Sequence, residues 1–104
     1  MTILDSRSGK VITTLPIGAG VDGVAYDPST RLIFCSCGDG TVTIIKQESA
    51  DKYRVVQNLP TQVRARTITL DPVTHKIYLS VARFEEGTRK TIPGSFEVLV
   101  FKMN

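Results

Sequence analysis

The chain nearly repeats itself. Residues 25–36 read AYDPSTRLIFCS, and forty-four residues later residues 69–80 read TLDPVTHKIYLS. A shift of 44 places Leu15 on Leu59, Pro16 on Pro60, Asp27-Pro28 on Asp71-Pro72, Thr30 on Thr74, Ile33 on Ile77 and Ser36 on Ser80. Val24/Ile68 and Phe34/Tyr78 are conservative matches, and just upstream Val11 falls on Val55. A fixed period of this size in a chain of 104 residues constrains the fold strongly. Each unit is too small to bury its own apolar faces, so like units must stack.

Each unit reads as four short strands. In the complete copy, DGVAYD (22–27) is the first, RLIFCS (31–36) the second, TVTIIK (41–46) the third and YRVVQNL (53–59) the fourth. Between the first two, Asp27 is placed to accept backbone N–H bonds in an Asx-type turn, and Pro28 presets φ. The Asp39-Gly40 pair signals a tight hairpin before the third strand. Leu32, Phe34 and Ser36 fall on one face of the second strand, and Ile33, Cys35 and Cys37 on the other. Two mixed apolar faces suit a sheet held between neighbouring sheets. No segment has a helical period.

The copies are incomplete at both ends. TILD (2–5) and KVITTL (10–15) read as the third and fourth strands of a preceding unit. ARTITLD (65–71), KIYLSV (76–81) and FEVLVFK (96–102) read as the first three strands of a following one. Thr41–Lys46 matches Glu97–Lys102 at a shift of 56, so the last unit carries a twelve-residue insertion within ARFEEGTRKTIPG. The expected organisation is one all-β domain over 1–104. It has outer strands of a preceding unit in 1–15, a complete unit in 21–59, and a unit lacking its outer strand in 65–102.

Four-stranded units of this length are the blades of β-propellers. The stretch LDSRSGKVITTLPIGAGVDGVAYDPSTRLIFCSCGDGTVTII resembles the YVTN-repeat (YncE-like) β-propeller family, on Asp5, Gly9-Lys10-Val11, Leu15-Pro16-Ile17-Gly18 and Gly23-Val24-Ala25. It departs from the family where Ile33-Phe34-Cys35-Ser36-Cys37 replaces a V-Y-V-A-N segment and its Asn. The resemblance covers essentially the whole chain. It implies a partial propeller of about two blades plus a leading strand pair, like the C-terminal blades of longer members. It also implies that ligands bind at one face near the propeller axis. Similar propellers are often exported, whereas MTILDSRSGK lacks the apolar core of a signal peptide.

The resemblance places the loops 16–22, 37–40, 60–66 and 82–94 on that face. Asp22, Asp39, Arg64, Arg66 and Arg83 are the candidate ligand-binding residues there. The three arginines would suit a carboxylate or phosphate. The competing reading is solvated loop charge, partly paired with Glu85 and Glu86. Asp27 and Asp71 read as turn formers rather than acid–base or metal groups. His75 reads as an exposed turn residue, and Gly18-Ala19-Gly20 is no phosphate loop. Cys35 and Cys37 read as buried, reduced thiols acting as small hydrophobes.

The function expected from this is a non-enzymatic binding or scaffold module, with no metal or other cofactor. Its expected partners are a protein, a small anionic ligand, further copies of itself that complete a propeller, or the missing blades of a longer chain. In the self-assembled form, Lys10–Leu15 of one chain would pair with Phe96–Lys102 of another. Related propellers include lactonases, oxidoreductases and nucleic-acid binders, so a fragment of one of these is the alternative. A formal net charge of +3, with Phe84 the one aromatic among the basic loops, disfavours nucleic acid. Apolar runs of about five residues are too short to span a membrane as helices.

Overall fold

The computed structural model describes residues 1–63, 65–81 and 97–102. Among them are nine strands and no helix: β1 Thr2–Leu4, β2 Val11–Thr14, β3 Val21–Asp27, β4 Leu32–Cys37, β5 Thr41–Gln47, β6 Tyr53–Pro60, β7 Arg66–Leu70, β8 Lys76–Val81 and β9 Glu97–Lys102. They form three antiparallel sheets: the hairpin β1-β2, the meander β3-β4-β5-β6 and the three-stranded β7-β8-β9. The expected strands are all present, with ends shifted by at most one residue.

The repeat governs register as well as element order. In the meander, Ala25 faces Phe34 and Tyr26 faces Ile33. In the second copy Thr69 faces Tyr78 and Leu70 faces Ile77, the same pairs shifted by 44. The turns are copies too. Asp27 O accepts from Arg31 N, and Asp71 O from His75 N, each at 2.8 Å. Arg31 and His75 close these turns in the left-handed region, at φ 59° and 60°. The Asp27 carboxylate also accepts from Ser29 N, and that of Asp71 from Val73 N and Thr74 N. These are the expected Asx turns.

Alternation along β4 and β5 gives the meander two apolar faces. Phe34, Val42 and Ile44 bury against Ile77, Leu79 and Val81 of the second copy, with Ile68, Leu70, Leu99 and Phe101 packed around them. On the opposite face, Ile33, Cys35 and Ile45 pack under Met1, Leu15 and Ile17 of the leading segment. The meander is therefore the middle layer of three, as the two-faced pattern of LIFCS required. Cys35 and Cys37 are fully buried and unbridged. Burial, with Cys37 beside it, pushes the Cys35 thiol above its ordinary range, which suppresses the reactive thiolate.

Candidate functional site

The loops entering and leaving the meander on the β3 N-terminal side are tied to one another. Gly38 N donates to Gly20 O, Asp39 N to Ala19 O and Thr61 N to Gly40 O. Asp39 is the knot. Its carboxylate accepts from Ala19 N at 2.9 Å, from Thr41 N at 3.1 Å and from the Thr41 hydroxyl at 2.6 Å. The Thr41 hydroxyl and the Ala19 amide hold the Asp39 carboxyl below the usual carboxylate range. Thr43 Oγ1 accepts from Gly18 N and donates to Asn58 Oδ1. A Cβ at Gly18 would collide with Thr41 Oγ1 and Asp39 Oδ2, so the loop closes on Asp39 only because residue 18 is glycine.

Asp22 is likewise engaged. The Ser36 hydroxyl donates to its carboxylate at 2.6 Å, linking β3 to β4 beside the bulge between Val21 and Gly23. Asp39 thus braces the loops, and Asp22 braces the first two strands of the meander, each through hydrogen bonds within the chain. A shallow cleft of ≈ 270 Å³ opens between Pro16, Ile17, Asp39, Thr41 and Asn58. Of the cationic arm, Arg64 and Arg83 lie outside the described residues. The backbone of Arg66 opens β7 opposite Ser80. Ala65, between Arg64 and Arg66, is buried and donates its N–H to Gln62 O.

A second concavity, at the Asp-Pro turns, was not anticipated. His75 is not the exposed turn residue expected. Its Nδ1 lies 2.6 Å from Asp27 Oδ2, and the two side chains are 34% and 1% exposed. Burial pushes the Asp27 carboxyl up, but hydrogen bonds from His75 and Ser29 outweigh it and hold the pKa at about 2. Next to this pair a cleft of ≈ 420 Å³ separates the meander from the second copy. Phe34, Ile44, Ile77 and Phe101 give it apolar walls, and His75 and Lys102 supply polar groups. The signal that could have located the pair is the repeat. Stacked copies put one Asp-Pro turn beside the next, so the residue closing one turn can reach the Asp of its neighbour.

Among the described residues no three His, Cys, Asp or Glu side chains converge as a metal site. No described helix is long and apolar enough to cross a membrane. No family model, no curated protein and no solved structure matches the chain.

Proposed function

We propose that this chain is a pair of β-propeller blades with a leading strand pair, acting as a non-enzymatic binding module. It presents the loops 16–22, 37–40 and 60–66 to a small anionic ligand or an acidic segment of a protein partner. The observation that carries the reading is the stacking of the two copies. Antiparallel repeat sheets of matching register lie face to face around one apolar core, which is how propeller blades pack. The loops at one end are cross-tied by Asp39 and by backbone bonds between them, which suits a rigid presenting surface. From sequence alone, Arg64, Arg66 and Arg83 are the candidate donors for an anion.

Thermal shift with inorganic phosphate and citrate tests this. The melting temperature should rise with either anion, and Arg66→Ala should abolish the rise while leaving the unliganded melting temperature unchanged. No rise with either anion, or a rise that survives Arg66→Ala, overturns the anion-binding reading.

A further inference from the structure

The contact between the two repeat sheets serves as a template for a contact between chains. Phe34, Val42 and Ile44 are buried against the second copy. The repeat places Tyr78, Val98 and Val100 at the corresponding positions of β8 and β9. There Val98 is 54% and Val100 52% exposed. At the other end of the stack, Val24 and Tyr26 correspond to Ile68 and Leu70, which pack into the inter-sheet core. Val24 and Tyr26 are 54% and 46% exposed. They line, with Ile3 and Ile33, a cavity of ≈ 320 Å³ beside the leading hairpin. One end of the chain therefore carries one half of the packing contact, and the other end carries the other half.

We propose that copies of this chain associate head to tail. The Tyr78, Val98 and Val100 face of one copy covers the Val24 and Tyr26 face of the next, as the meander and the second copy already pack within a chain. Charge complementarity follows from the same template. Within the chain, Asp27 of one turn bonds the residue that closes the next turn, His75. Across the new contact, Asp71 of one copy meets the position of Arg31 in the next. Arg31 is exposed and holds the same left-handed conformation as His75. The interface is heterologous, so each copy retains a free head or tail until a ring closes.

The hairpin β1-β2 decides how the strands join. In the meander, Ile44 faces Gln57 and Ile45 faces Val55, so Val56 is bulged. In the hairpin Ile3 faces Thr13 and Leu4 faces Val11, so Ile12 is bulged at the equivalent position. β1 thus sits against β2 as β5 sits against β6. By the repeat, β9 is also a β5 equivalent, and among the described residues only β8 pairs with it. β1 of one copy and β9 of another therefore compete for the same edge of β2. β1 has three residues and β9 has six. In the assembly β9 displaces β1, pairing Leu99 with Thr14, Val100 with Thr13 and Phe101 with Val11 of the neighbour. β1 is a plug that holds the edge until another copy arrives, which is one of the ways exposed edges are kept from pairing indiscriminately.

Sedimentation velocity over a range of micromolar concentrations tests the proposal on the full chain. The mass should climb above the 11.4 kDa of one chain. Val24→Lys and Val100→Lys should each weaken association by roughly tenfold or more, since each buries an unpaired charge in the contact. Mixed together, these two variants should form dimers and nothing larger, because one retains a sound tail and the other a sound head. Ile3→Pro should strengthen association, since it removes the competing strand. A Thr13→Cys, Val100→Cys double variant, which leaves both contact faces apolar, should form a disulfide between chains under oxidising conditions.

A monomer with native circular dichroism at every concentration overturns the proposal. So does an association that Val100→Lys abolishes and Val24→Lys leaves untouched, which would mark a symmetric contact of the tail with itself. Weaker association of Ile3→Pro, or no crosslink in the double cysteine variant, overturns the strand exchange. Association and anion binding are separate readouts, so either can fail without the other.

Discussion

The turns at Asp27 and Asp71 have the same sequence frame, the same backbone bonds and the same left-handed closing residue, yet their electrostatics differ. Asp27 is buried, faces His75 of the next layer, and its carboxyl is held at about 2. Asp71 is partly exposed, and its carboxyl is lowered chiefly by the Val73 amide and the Thr74 hydroxyl of its own turn. Local sequence dictates the turn in both copies. Position in the stack dictates the rest, because only the first copy has a described layer beyond it on that face. The same holds for side-chain packing: Phe34 is buried and its counterpart Tyr78 is half-buried.

The sharpest way to break the comparison is at that last pair. Phe34→Ala should cost about 3–5 kcal/mol, the usual cost of emptying an aromatic site in a core. Tyr78→Ala should cost about 1 kcal/mol or less at concentrations where the chain is dilute. Urea denaturation of the two variants checks this. Equal losses would mean that the two copies are equivalently packed, against the observed burial.

A smaller effect is expected at the turns. Asp27→Asn keeps the Asx acceptor and removes the charge that faces His75. Depression of the carboxyl pKa from 3.8 to about 2 corresponds to about 2 kcal/mol of stability at neutral pH. The sign is that of a lowered folded-state pKa. The contribution is complete above pH 4, where the unfolded carboxyl is ionised, and disappears as pH falls through about 2. Wild type and Asp27→Asn should therefore differ at pH 7 and converge near pH 2. Asp71→Asn should show a smaller difference at pH 7. Denaturation midpoints across this pH range measure both, and a constant gap down to pH 2 would mean that the Asp27 charge contributes nothing.

These differences mark how far the sequence could be read. The nine strands, the Asx turns, the two-faced middle layer and the buried thiols were legible because each depends on nearby residues or on alternation along one strand. The Asp27–His75 pair was not, since its members are 48 residues apart and meet only through stacking. At the candidate face, Asp39 lies in the turn between β4 and β5 as expected, whereas Asp22 lies within β3 rather than in the loop before it. Their use as braces was not legible, because it depends on Ser36 reaching Asp22 from the next strand and on Ala19 reaching Asp39 from a loop twenty residues earlier. Arg66 lies in a strand rather than in a loop, because β7 begins one residue after the buried Ala65. Arg64 and Arg83 fall outside the described residues.

The smallest expected effect has the opposite sign and comes from the one place where the registers diverge. Gly23 faces Ser36 in the first copy. In the second copy Arg66, not Thr67, faces Ser80, and Thr67 takes up the slack with φ 59°. A β-branched residue in the left-handed region is strained by roughly 1 kcal/mol or more, and glycine is the residue that such bulges prefer. Thr67 is exposed, so little packing is lost on truncation. Thr67→Gly should therefore stabilise the protein by up to about 1 kcal/mol, less what glycine returns to the entropy of the unfolded chain. Gly23→Ala should do the reverse. An added Cβ there comes within 3.1 Å of both Ile68 Cγ2 and Ser36 Oγ, and so presses on the seam between the two sheets. Thermal melts of the two variants decide it. A loss of stability in Thr67→Gly would mean that the Thr67 side chain, rather than its backbone, holds the second copy's bulge in place.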